Sequence, residues 1–545
     1  MNLLSYKGTG FIFILLTGCT IVACHAVSTS VKKTFRYNEP TGIASLDPAF
    51  AKNQSIIWPV HQIYNTLVQT DTRLNIVPSL ASGWDISNDK KTYRFHLRRD
   101  VFFQDNAVFP GGRGRQLIAS DIVYSLSRII DKNTASPGAW IFNDRISGAD
   151  AFRALDDSTF ELHLLTAFHP ILGLLSMQYC SAVPHEMVEK FGKDFRSHPC
   201  GTGPFQFKSW EEGQDLIMIK NENYFEKDSA GVRLPYLDAI KISFFDNRAT
   251  EFLLLQQGRL DFMNDVDPSF KDEVLNKKGE LKKDWVGRIV LSKSPYLNTE
   301  YLGILLDSSL PQVKISPLRL LKIRQAVNYG FDRRKMLMYL RNSIGTPAES
   351  GFIPPGLPSF DSALVRGYHY DPVRSRELLR EAGFPEGAGL PLITLKTIDN
   401  YADLAGFISR QLEDIGLKVQ VDITQKSLLL EEVAKSQATF FRGSWIADYP
   451  DAENYLSVFY SENPAPPNYT RYKNPLFDQW YRQSLVENND SLRYVLYRKM
   501  DGLMIGDAPV VPLWYDQVIH LVNPAVSGFE ANGLNLLELR HTQIR

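Results

Sequence analysis

The 545-residue chain is too long for one ordinary hydrophobic core, so two or three subdomains are expected. Hydrophobic residues at 44% and charged residues at 22% place it among ordinary globular proteins. A formal net charge of −1 gives no electrostatic case for nucleic acid, whose binders carry basic patches.

In chain order, residues 1–24 have one Lys and an apolar run shorter than the roughly 20 residues a bilayer span needs, which reads as an export signal. Leu16-Thr17-Gly18-Cys19 has the form of a bacterial lipobox, with cleavage before a cysteine that becomes acylated. Residues 1–18 would then be the signal peptide, and one lipid-modified terminus would hold the protein at a membrane face. Ile21-Val22-Ala23-Cys24 is a second candidate, and a plain secretory signal is a third reading. Cys180 and Cys200 are the cysteines beyond this region. In an oxidising compartment a disulfide between them is one reading and two buried thiols the other. Cysteine parity favours cleavage before Cys24, whereas Leu16 and Gly18 favour Cys19.

Thr34–Tyr37 reads as a strand, and Glu39-Pro40-Thr41-Gly42 as a turn. A helix carrying Ile57, Val60, Ile63 and Tyr64 follows Asp47-Pro48. Thr92–Arg98 alternates side chains with period two, as a half-buried strand does. Gly111–Arg115 is a glycine-rich surface loop without the Lys-Ser/Thr of a phosphate-binding loop. Ser120-Asp121 supplies an N-cap ahead of Ile122, Val123, Leu126 and Ile129 on one helical face. Thr159–Leu164 alternates as a strand, and Gly201-Thr202-Gly203-Pro204-Phe205 is a sharp turn entering another. Further on, Ile323–Arg333 is a helix ending near Gly330, and Pro372 opens a helix capped by Gly383. Strand Pro391–Thr397, helix Leu404–Ile415 and strand Lys418–Asp422 continue the α/β alternation.

The block from Ala81 to Arg128, the Gly201–Phe205 turn and the order Asn223-Tyr224-Phe225, Leu234–Asp238, Gly258–Asp261 resemble the family 5 extracellular solute-binding proteins. These are the peptide-capturing subunits of ABC importers, and the resemblance runs from about Thr34 to Ala525. It implies an α/β, bilobal, periplasmic-binding-protein-like fold (type II, cluster C) with an additional inserted subdomain. Residues 30–75, 200–290 and 507–545 would form a discontinuous lobe I, 76–199 an inserted subdomain II, and 291–506 lobe III. The implied protein is a lipid-anchored monomer at the periplasm or cell surface. It would capture peptides between its lobes and pass them to ABC permease subunits, with no catalysis, cofactor, metal or nucleic acid. The alternative is a non-peptide solute on the same scaffold: a nickel complex, haem or an oligosaccharide.

Phe441-Arg442-Gly443-Ser444-Trp445-Ile446-Ala447-Asp448-Tyr449-Pro450 is the main candidate site. A free peptide needs a carboxylate for its ammonium and a cation for its carboxylate, and such bonds strengthen in a closed cleft. By the resemblance, Asp448 meets the ligand's α-amino group, Trp445 flanks a side-chain pocket and Arg442 meets a terminal carboxylate. Asp448 could instead cap a turn, and Arg442 could form an ion pair across the lobes. Two departures bear on the ligand. Gly138 stands where the oligopeptide branch has an aromatic residue, with Trp140 two further on as a substitute. The loop after Asp47-Pro48, acidic in some members, reads Lys52-Asn53-Gln54, which suits an anionic group and offers Asn53 and Gln54 to the ligand. His185-Glu186-Met187-Val188-Glu189 lacks the second His of a zinc protease helix, and no nucleophile elbow is present.

Overall fold

Thr34–Asn38 forms the expected first strand, burying Phe35 and Tyr37 and running parallel to Ala239–Ser243 and Phe262–Asn264. It belongs to an 11-stranded mixed sheet in a computed structural model that describes residues 33–267 and 269–545. The lipobox candidates Cys19 and Cys24 lie outside the described residues.

Two long antiparallel strands, Val290–Ile304 and Val510–Val522, join the halves of this sheet. At one end Val290–Pro295 pairs with Gln517–Val522, next to Phe262–Asn264 and the N-terminal strand. At the other, Asn298–Ile304 pairs with Phe440–Ile446, beyond which lie Ile393–Thr397 and Val419–Ile423. The ladder between the two long strands is interrupted between Pro295 and Thr299. Only this ribbon carries the sheet from one half to the other.

A separate four-stranded antiparallel sheet runs Ala81–Ile86, Thr92–Leu97, Thr159–His163, Phe152–Asp156. The period-two pattern of the second strand sends Tyr93, Phe95 and Leu97 inward while Arg94 and His96 face water. Burying an apolar ring such as Phe95 or Phe160 contributes on the order of 1.5–3 kcal/mol, which fixes the inward face. Helix Ala119–Ile130 packs on this sheet through the buried Ile122, Leu126 and Ile129. Its start differs from the expected Ser120-Asp121 cap. Ile118 is the capping position, and Asp121, inside the first turn, accepts the Ile118 N–H at 3.0 Å.

The glycine-rich stretch also differs from a free surface loop. Gly114 lies so close to the Phe103 carbonyl that an added Cβ would overlap it, and Arg115 is clamped by Asp121 and Glu186. The Gly201–Phe205 turn packs behind helix Gln54–Ile63. The Gly203 N–H donates to the Ile63 carbonyl at 2.8 Å, and a Cβ at Gly201 or Gly203 would collide with that carbonyl. Of the two readings of Cys180 and Cys200, the structure takes the buried thiols. Both are buried free thiols, donating separately to the carbonyls of Leu174 and Gln104, and burial pushes both thiol pKa values up.

Candidate functional site

A cavity of about 400 Å³ is walled by seven separate stretches of the chain. Ala51–Gln54 and the start of helix Gln54–Ile63 form one wall, and Trp140 with Ser176–Tyr179 a second. Tyr296, at the break in the ribbon, and Ile446–Pro450, just past strand Phe440–Ile446, form the wall opposite. Leu534–Leu536 close the space from the C-terminal segment, pinned by Trp58 Nε1 donating to the Asn535 carbonyl at 2.7 Å. Aromatic rings and a few polar groups on converging elements are what a small-ligand site requires.

Asp448 reaches this cavity and keeps contact with its solvent, although crowding by the walls pushes its carboxyl pKa up. Its side-chain partner is Asn454 Nδ2 at 3.3 Å, which opposes that rise. No protein cation lies at ion-pair distance among the described residues. Asp448 is thus a carboxylate in an aromatic-walled space with no counter-ion of its own. Tyr179 shares the space, its phenol pKa pushed up to about 12 by burial and by the Asp448 charge. Tyr296 is likewise raised to about 12, by burial and then by Asp516.

Trp445 does not line the cavity. Alternation along the strand turns it to the face opposite Ile446, where it packs against the core around Tyr455 and Phe459. It is nevertheless tied to Asp448, because its Nε1 donates to Asn454 Oδ1 at 2.9 Å and the Asp448 N–H donates to the same oxygen at 3.4 Å. Arg442 is also absent from the cavity wall. Its Nη2 donates to Glu300 Oε2 at 2.6 Å, and its guanidinium lies 3.8 Å from the centre of the Tyr401 ring. The ion pair considered for Arg442 therefore forms, but between neighbouring strands of one sheet rather than across the lobes. Burial raises the Glu300 pKa, and Arg442 opposes the rise.

Trp140, Asn53 and Gln54 all reach the cavity wall. Asn53 has a structural task as well, its Oδ1 accepting the Ile56 N–H to cap the helix. Gln54 is occupied on both ends, donating to the Asn535 carbonyl at 3.4 Å and accepting from Asn264 Nδ2 at 3.1 Å. The glycine at 138 now has a reason: a Cβ there would meet the Tyr179 ring at 2.6 Å, so Tyr179 occupies the space of the expected aromatic side chain. The sequence reading missed Tyr179, Tyr296 and Asn454. Tyr179 and Tyr296 come from other segments, and Asn454, six residues after Asp448, sits in no motif that points at the cavity.

Among the described residues no grouping of three or more His, Cys, Asp or Glu is placed to hold a metal ion, and no helix is long and apolar enough to cross a membrane. His185 and Glu186 belong instead to the Arg115 clamp, the imidazole 3.4 Å and the carboxylate 2.5 Å from the guanidinium.

The family model of the bacterial extracellular solute-binding proteins, family 5 (middle region), matches residues 75–467. Heme-binding protein A of Haemophilus influenzae is 27% identical over 487 residues, covering 86% of this chain and 84% of the relative. The glutathione-binding protein GsiB of Shigella dysenteriae serotype 1 is 25% identical over 531 residues, 95% of this chain and 94% of the relative. Among solved structures, the periplasmic binding protein DppA from Helicobacter pylori in complex with the peptide STSA superposes with a TM-score of 0.71 at 23% identity. That alignment covers 94% of this chain and 98% of the other.

Proposed function

The chain belongs to the bacterial extracellular solute-binding proteins of family 5, and from that premise we propose that it captures short peptides beside Asp448 and delivers them to an ABC permease. The reading rests on Asp448, a carboxylate without a protein counter-ion in a cavity whose walls come from both halves of the molecule. An ammonium group is the partner such a carboxylate lacks, and the bond gains strength once water is excluded. Aromatic walls from Trp140, Tyr179 and Tyr296 accept side chains of varied shape.

The lobes we assign are 30–75, 200–290 and 507–545 for the first, with 76–199 inserted, and 291–506 for the second. The ribbon serves as their hinge, and nothing is chemically transformed between them. We assign the protein to the periplasm or cell surface, held at a membrane by a lipid on Cys19, or on Cys24 if cleavage falls later.

Isothermal calorimetry of Asp448→Asn tests the site. Replacing the charge-assisted bond by a neutral one is expected to cost about 1.5–3 kcal/mol of peptide affinity while the melting temperature stays within a degree or two. Unchanged affinity would remove Asp448 from the site.

A further inference from the structure

We propose that Lys52 is the anion-reading residue of the cavity, so that the ligand is a short zwitterion with its ammonium on Asp448 and its carboxylate on Lys52. This rests on the peptide reading and goes beyond it by assigning the second charge. Of all the side chains lining the cavity, only Lys52 and Asp448 are ionised, one cation and one anion on walls from distant parts of the chain. Arg442, the cation the strand motif suggests, is spent on Glu300 and does not reach the cavity.

The backbone holds Lys52 in place from both sides. Its N–H donates to the Phe50 carbonyl at 2.7 Å, just past the short 3-10 turn Pro48–Phe50 that the Ala51 N–H closes on the Pro48 carbonyl. That turn is capped by Asp47, whose carboxylate is itself fixed by Arg128 at 2.7 and 3.1 Å. On the other side Asn53 caps helix Gln54–Ile63. The Lys52 side chain is exposed and belongs to no ion pair among the described residues. The N-terminus of the same ten-residue helix opens on this wall at Asn53 and Gln54, so the partial positive end of its dipole adds to the ammonium. A carboxylate arriving here meets two sources of positive potential.

The proposal predicts a preference for free acids over amides. Full-length protein is titrated calorimetrically with di-, tri- and tetra-alanine and with their C-terminal amides, alongside Lys52→Gln and Lys52→Arg. Wild type is expected to bind the best free acid about tenfold or more tighter than its amide. In Lys52→Gln the two should bind alike, near the wild-type affinity for the amide, and Lys52→Arg should restore most of the preference. Asp448→Asn should weaken acid and amide together. Equal binding of acid and amide by wild type, or a preference surviving in Lys52→Gln, overturns the Lys52 assignment while leaving peptide capture standing. If wild type binds none of the peptides or amides, peptide capture falls and this assignment falls with it.

Discussion

Asn454 is the residue on which the proposed site turns, although nothing marks it in the sequence. Its orientation is fixed by chemistry: the Trp445 indole can only donate and the Asp448 carboxylate can only accept. One buried amide therefore locks Trp445 and Asp448 into a single unit, which makes Trp445 a supporting residue rather than a wall. Asn454→Asp separates the two tasks. The Trp445 acceptor survives, but the donor to Asp448 is lost and a second carboxylate arrives at about hydrogen-bond distance. Two adjacent carboxylates cannot both ionise freely, so the Asp448 pKa, already raised by burial, should rise further. Only ionised Asp448 holds an ammonium. Peptide affinity should therefore fade at a higher pH in Asn454→Asp than in wild type as solutions are acidified, and calorimetric titrations from pH 8 to 4 would show the shift. Superimposable pH profiles would leave Asn454 as packing alone.

At the level of elements, local chemistry made much of the fold readable. The alternation of Thr92–Leu97, the Pro372 opening and Gly383 stop of one helix, and the Leu404–Ile415 helix flanked by strands all stand close to where periodicity and capping put them. The site was readable in part: Asp448, Trp140, Asn53 and Gln54 reach the cavity, whereas Trp445 and Arg442, on the strand itself, do not. Tyr179 and Tyr296 reach Asp448 through tertiary packing that no spacing encodes, whereas Asn454 is only six residues away in a contact that no motif marks. The state of Cys180 and Cys200 stayed open for the same reason, since two cysteines in one compartment say nothing about which carbonyl each thiol will face. A buried carboxylate gives helix Asp490–Asp507 a further property. Asp501 accepts N–H groups from Phe352 at 2.7 Å and Ile353 at 3.4 Å, and burial pushes its pKa up to about 7. The folded state thus holds a proton that the unfolded chain, with its ordinary carboxyl near 3.9, releases. This contribution is fully present below about pH 4 and is lost as pH rises toward 7, at a slope of up to about 1.4 kcal/mol per pH unit. Asp501→Asn keeps an acceptor for the nearer N–H, that of Phe352, removes the titrating group, and should flatten that part of the stability profile in urea unfolding between pH 4 and 7.

For the whole molecule, contacts between the proposed lobes would set the balance of open and closed forms, the packing of Tyr449 and Leu485 against the core that holds Phe168 and Ile171 among them. Away from the cavity, Lys90 Nζ donates to the Val486 carbonyl at 2.9 Å and the His169 N–H donates to the Leu485 carbonyl at 3.1 Å. Both bonds join residues of the proposed inserted subdomain to the loop before helix Asp490–Asp507 in the opposing lobe. Each contributes on the order of 1 kcal/mol net, because water replaces it when the halves part. The ribbon between them has its ladder already broken at Pro295–Thr299, so bending there sacrifices little pairing. Closure is therefore within reach of a ligand that touches both walls, whereas a ligand touching one wall has no differential hold on the closed form. A peptide spanning Lys52 and Asp448 touches both. Small-angle X-ray scattering with saturating peptide should accordingly show a smaller radius of gyration than the peptide-free protein, and at one hundred times Kd the bound state should gain about 2.7 kcal/mol against unfolding. In Lys52→Gln the same peptide, held mainly at Asp448, should compact the protein less even at saturation. Identical scattering with and without a peptide that calorimetry proves bound would mean that the halves do not move, and that the cavity fills through its rim.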